Sequence, residues 1–217
     1  MHYLFLIPGI LLAITLHEFA HGWASWKLGD PTPKQTGRLT LNPLRHLDPF
    51  GVICMMIFHM GWAKPVEINP YYYKNKKAGI ALVSLAGPAV NILSGAVGIF
   101  ILIWLEISTQ TGRMEVTVLL QNIYRMLYYF SILSINLAVF NLIPIPPLDG
   151  SKILSAFLPD HALQVFIRYE RYFTIILVVA LYMGLLDGAM DAAYNIIYDG
   201  ILKLAELVFR PMLITTI

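Results

Sequence analysis

The chain has 217 residues, 58% of them apolar and 13% charged, with a mean hydropathy of +0.67. A soluble domain carries about 25% charged residues, and a fold of this size cannot hide so much apolar surface from water, so soluble and disordered chains are both excluded. A net charge of +2 argues against nucleic-acid binding, and a single cysteine, Cys54, excludes an intramolecular disulfide or a multi-cysteine metal cluster. An integral membrane protein remains.

The first apolar run, residues 3–26, is read as a retained transmembrane helix over 3–27 rather than a cleaved leader. It lacks Lys or Arg before Lys27 and carries His17, Glu18 and His21. Pro8 falls in its first turns, where a missing backbone donor costs least. Gly29-Asp30-Pro31 supplies a stop and a turn.

The stretch 34–75 is different. Pro33, Gly37, Asn42, Pro43, Asp48, Pro49 and Gly51 surround short apolar runs. The run Val52–Trp62 is too short to span as a helix and suits a re-entrant or strand-like insertion. Irregular backbone at membrane depth needs protein or a watery cavity around it, so this region is expected to line a cavity. Tyr71, Tyr72 and Tyr73 beside Lys74, Lys76 and Lys77 read as an interfacial anchor.

Four further segments approach the length of a span: 78–105, 118–142, 165–186 and 189–209. Asp191, Asn195, Asp199, Lys203 and Glu206 interrupt the last, for which an amphipathic interfacial helix is the alternative. The expected fold class is an all-α polytopic membrane protein with about five transmembrane helices and a re-entrant or strand-like insertion after the first. It forms one domain over 1–217, a core of about 3–155 followed by helices over 163–209. Lys27, Lys34, Arg38, Arg45, Lys64, Lys74, Lys76 and Lys77 follow the first helix, and Lys152, Arg168 and Arg171 follow the third. The positive-inside rule therefore puts both connections in the cytoplasm and the N-terminus outside.

One constellation carries chemistry. In Leu16-His17-Glu18-Phe19-Ala20-His21 the two histidines are four apart, so both imidazoles leave one helical face and can meet one Zn²⁺. Glu18 sits beside them, placed to take a proton from water. Three ionisable groups within five residues of a membrane helix default to a functional reading. A catalytic zinc needs a third protein ligand. Asp149 stands out, because Pro144, Pro146 and Pro147 break the chain before it and Gly150 permits a tight turn after it. A capping aspartate is the alternative for Asp149, and His46 and His59 are rival ligands.

At this point the residues resemble a known family. HEFAH at 17–21, AGPAVN at 86–91 and NLIPIPPLDG at 141–150 together resemble the site-2 protease family of intramembrane zinc metalloproteases. GRLTLNPLRHLDPFG at 37–51 and GWAKPVEINP at 61–70 resemble its compact prokaryotic branch, which lacks PDZ and CBS domains. The resemblance implies one Zn²⁺ per chain held by His17, His21 and Asp149, with Glu18 as the catalytic base. It implies that Asn91 lies near the site, bonding substrate or a zinc-bound oxygen; a helix–helix hydrogen bond is the alternative. Asn141 would orient the turn that presents Asp149. Gly87 and Gly95 would allow close helix packing.

The implied partner is a membrane-spanning or membrane-associated protein substrate, cut from the cytoplasmic side of the cell membrane. The segment 52–62, with Phe58 and Trp62, is expected to clamp an extended substrate by strand addition. A metal transporter and an inactive binder of membrane segments are the competing functions.

Overall fold

The computed structural model describes residues 3–51, 54 and 63–214. The expected insertion over Val52–Trp62, with Phe58, His59 and Trp62, lies outside the described residues except for Cys54. Among the described residues the chain is helical, with no β-strand; an isolated antiparallel bridge joins Leu47 to Ala63.

Three helices are long and apolar enough to cross a membrane. The first, α1, runs Tyr3–Lys27. Its 25 residues reach about 37 Å at 1.5 Å per residue. It stops at Gly29, whose φ of +104° suits glycine. A four-residue helix, α2 (Thr32–Gln35), follows. The second long helix, α3 (Lys76–Gln110), begins where the Asn75 side chain accepts from the Ala78 amide at 3.1 Å. The third, α4 (Val118–Asn141), begins with the Thr117 hydroxyl accepting from Leu120 in the same way.

These three helices pack on one another through small residues. A Cβ on Gly95 would lie 2.8 Å from Ile135 Cγ1, and one on Gly9 would lie 3.0 Å from the Phe130 amide. Glycine here lets backbones approach, which is how helices associate without a hydrophobic drive between them. Ser94 and Ser134 hydroxyls meet at 3.1 Å across α3 and α4. The outer faces remain apolar and exposed (Leu82, Leu93 and Val97 on α3), as expected where lipid is the solvent.

Beyond α4 come α5 (Asp149–Ser155), α6 (Asp160–Arg168), α7 (Glu170–Tyr182) and α8 (Asp187–Ile214). The expected span over 165–186 is therefore divided. It breaks at Tyr169, and α7 alone has 13 residues, about 20 Å. A turn at Gly184, φ +68°, then bends α7 from α8 by 84°. Among the described residues there are thus three helices long and apolar enough to span, or four if the bent pair counts as one. Ile201, Ala205 and Phe209 carry α8 onto Ile99 and Ile107 of α3.

The link from α1 to α3 is fixed by a buried polar knot. Asp30, fully buried, accepts from the Ser25 hydroxyl at 2.7 Å and from the amides of Thr32 at 2.9 Å and Asn69 at 2.7 Å. The Tyr73 hydroxyl lies 2.7 Å from Ser25. Burial pushes the Asp30 carboxyl up, but these hydrogen bonds outweigh it and hold its pKa below the ordinary value. Such a group adds stability above its unfolded pKa of about 3.9 and loses it as pH falls through the lower folded value. Asp30→Ala leaves several buried donors unpaired. It is expected to cost about 2–4 kcal/mol, read as a lowered thermal midpoint in detergent at pH 7. The difference from wild type should shrink below pH 4.

Candidate metal centre

His17 and His21 leave α1 one turn apart, both buried, with ring centroids 4.6 Å apart and planes nearly perpendicular. Helix α3 faces them with three residues spaced by four: Val83, Gly87 and Asn91. The His21 Nδ1–H donates to the Val83 carbonyl at 2.7 Å. That bond fixes the proton on Nδ1 and leaves Nε2 with its lone pair outward. Pro88 lies inside α3 and removes the amide that would pair with the Ser84 carbonyl, loosening the ladder at this turn. A Cβ on Gly87 would lie 2.6 Å from His21 Nε2 and 2.7 Å from His17 Cε1. The cradle for the two rings exists because residue 87 has no side chain.

Asp149 arrives from the other end of the chain. Residues 142–148 are irregular, as the three prolines require, and the Pro146–Pro147 bond is cis. A Cβ on Gly150 would collide with the Leu142 and Ile143 carbonyls, so the turn closes only on glycine. Leu148, not Asp149, is the N-cap of α5, and no side chain caps that helix. The carboxylate is instead divided between two tasks. The Lys152 ammonium donates to Oδ1 at 3.1 Å, and Oδ2 turns to the histidines.

Three donor atoms converge there. Asp149 Oδ2 lies 3.1 Å from His17 Nε2 and 3.0 Å from His21 Nε2, and the two Nε2 atoms are 3.0 Å apart. Among the described residues this is the one trio of His, Cys, Asp or Glu with donors so close. Electron-rich atoms at this spacing repel unless a proton or a metal cation lies among them. Zinc bonds of 2.0–2.1 Å in a tetrahedron put neighbouring donors about 3.3 Å apart, so the donor set fits that ion.

Glu18 is half-buried beside this trio. The Val66 amide donates to its Oε2 at 3.0 Å, leaving Oε1 without a described partner. The segment that brings Val66 is anchored by Asn69 on Asp30. Asn91, fully buried, places its amide nitrogen 3.3 Å from His17 Nδ1, and its Oδ1 is buried without a partner. Asn141 does not join the group: its amide donates to the Leu137 carbonyl at 2.9 Å, one turn back on α4. His46, the rival ligand, is held elsewhere, with its Nε2–H donating to the Thr40 carbonyl at 2.8 Å. The other rival, His59, lies outside the described residues.

Three contributors to the site are absent from the sequence reading. Lys152 counted there only as a charge, although its position three after Asp149 on a helix pairs the two. Val66 and Val83 act through the backbone and carry no side-chain signal.

Comparison with known proteins gives the family. The profile of Peptidase family M50 matches residues 5–185. "Putative zinc metalloprotease YwhC" of Bacillus subtilis is 34% identical over 212 residues, 96% of this chain and 94% of that one. "Putative zinc metalloprotease Rip2" of Mycobacterium tuberculosis H37Rv is 27% identical, covering 86% of this chain and 70% of its own. "Zinc metalloprotease MJ0392" of Methanocaldococcus jannaschii is 28% identical over 69% of this chain and 33% of its own. No solved structure matches the chain. With a family match over most of its length and a relative 34% identical over 96% of it, the chain belongs to peptidase family M50, the site-2 protease family.

Proposed function

We propose that His17, His21 and Asp149 hold one Zn²⁺ and that Glu18 is the catalytic base, making this an intramembrane metalloprotease of the His-Glu-x-x-His type. As a member of its family the protein is a zinc metalloprotease. The observation that carries the assignment is the meeting of three donors at 3.0–3.1 Å, from α1 and α5, with Glu18 adjoining.

Zinc, when bound, polarises the scissile carbonyl and makes water acidic enough to attack near neutral pH. The chain's own residues do the rest. Glu18 takes a proton from the attacking water on its free oxygen and delivers it to the leaving amine. The Val66 amide holds the other oxygen, so the carboxylate does not swing away. Lys152 ties Asp149 Oδ1 and keeps Oδ2 aimed at the histidines. Asn141 acts only on the end of α4, steadying the chain before the turn to Asp149.

The substrates in this reading are membrane-spanning or membrane-associated proteins, and the enzyme is a multi-pass protein of the cell membrane. Its N-terminus is outside and its site opens to the cytoplasm. The basic residues after α1 and after α4 support that orientation. His21 is six residues from the end of α1, about 9 Å along the axis, so water has a short path from that side. The chain is one domain, residues 1–217, with its core over about 3–155. In the five-span reading α6 with α7 makes one crossing and α8 another; the 28 residues of α8, with Lys203 and Arg210 near its end, support it. A re-entrant segment over 52–62 completes this reading.

Zinc content of the purified full-length chain tests the site. Wild type is expected to carry one zinc per chain, and His17→Ala, His21→Ala and Asp149→Ala almost none. Stoichiometric zinc in all three variants would overturn the ligand assignment.

A further inference from the structure

We propose that Asn91 is a positioning residue for the ligand His17, presenting its side-chain oxygen, not its nitrogen, to the Nδ1–H of that ring. The inference rests on the reading of His17 as a zinc ligand and extends it to a residue on α3.

Three observations lead there. Asn91 Nδ2 lies 3.3 Å from His17 Nδ1, a long contact, and the opposite amide atom, Oδ1, is buried with no donor. The two ends of an amide are nearly the same size, and their assignment follows the hydrogen-bond network. A buried oxygen among helices finds few donors, because the backbone N–H groups there are already spent. An amide N–H finds acceptors more easily, since helical carbonyls keep a second lone pair.

Chemistry selects the same orientation. His17 can offer Nε2 to a cation only when its proton sits on Nδ1. An Nδ1–H facing the Asn91 N–H would set donor against donor. With the amide reversed, His17 Nδ1–H donates to Oδ1, and the orphaned oxygen gains its partner. His21 already shows the equivalent arrangement, with its Nδ1 on the Val83 carbonyl at 2.7 Å. Val83 and Asn91 lie on one face of α3, eight residues apart, with Gly87 midway as the gap that admits both rings. One helix thus sets the tautomer of both histidines of another. Outer partners of this kind govern ligand orientation and metal affinity by about 10–100-fold.

Chelator competition for zinc, on the full chain in detergent, tests this with wild type, Asn91→Leu, Asn91→Asp and His17→Ala. Asn91→Leu removes the acceptor and is expected to weaken zinc binding about 10–100-fold. Asn91→Asp keeps an acceptor, removes the donor, and is expected to bind no more weakly than wild type. ¹⁵N NMR of histidine-labelled, zinc-loaded wild type should show His17 protonated at Nδ1. Wild-type affinity in Asn91→Leu, or equal loss in Asn91→Leu and Asn91→Asp, overturns the proposal. Should Asn91→Leu not fold, Asn91→Asp and the wild-type spectrum decide it: weakened binding in the former, or a proton on Nε2 in the latter, overturns it. Undiminished zinc binding by His17→Ala would instead overturn the underlying ligand assignment.

Discussion

Glu18→Gln is expected to keep its zinc and to lose about a hundred- to ten-thousand-fold in cleavage rate, the range for a positioned acid–base group. The amide matches the carboxylate in size and can still face the Val66 amide through its oxygen. Its described hydrogen bond goes to Val66 and not to the three donors of the proposed metal site, so metal content should not change. What it cannot do is accept a proton. Parallel zinc analysis and peptide-bond cleavage, in detergent or reconstituted bilayers, separate the two properties. Cleavage at the wild-type rate would remove Glu18 from the reaction; loss of zinc together with activity would make it part of the metal site.

Gly87→Ala is expected to be as damaging while changing no ligand. The added methyl would stand 2.6 Å from His21 Nε2 and 2.7 Å from His17 Cε1, closer than real Cβ atoms come to any neighbour. Neither ring can retreat freely, because His21 is tied to Val83 on the same helix. The rings must turn, or α1 and α3 must part. Either response spreads donors that are 3.0 Å apart. Zinc affinity should fall about a hundred-fold or more, beyond the usual effect of outer partners, with helix content by circular dichroism largely preserved. A nearby substitution, Ala89→Gly, adds no atoms and shifts helix propensity the other way, so it should leave zinc affinity near wild type.

The parts of the site that were legible in the sequence are those that depend on side-chain type at a fixed spacing. Histidines four apart on an apolar helix must share a face, whatever surrounds them. Asp149 was legible because proline and glycine around it forbid a continuous helix. Gly87 was visible as a small residue suited to close packing, but nothing in the string says that it faces imidazoles rather than another backbone. The amide of Val66 and the carbonyl of Val83 were invisible, since every residue has both groups. Only the fold separates the rival ligand His46 from the site: its Nε2 is held by Thr40 and it is not among the converging donors.

The long helices behaved similarly. The limits of α1 and α4 lie within a residue of those expected from apolar length alone, whereas α3 begins two residues before 78 and runs five past 105. Apolar length failed over 165–186, where hydropathy is continuous but the helix is not. Tyr169 ends α6 and Gly184 ends α7, and neither break alters the average apolarity that marks a span.

The centre is divided very unevenly along the chain: His17 and Asp149 are 132 residues apart. During synthesis, the ribosome therefore delivers the proposed base and two proposed ligands early, and the proposed third ligand after more than half of the polypeptide has been made. If His17, His21 and Asp149 hold the cation as proposed, a nascent chain lacks the third ligand until the Asp149 turn has emerged and docked. On that reading the metal centre closes only once the chain has been made through α5, so metal binding is coupled to assembly of the helical core.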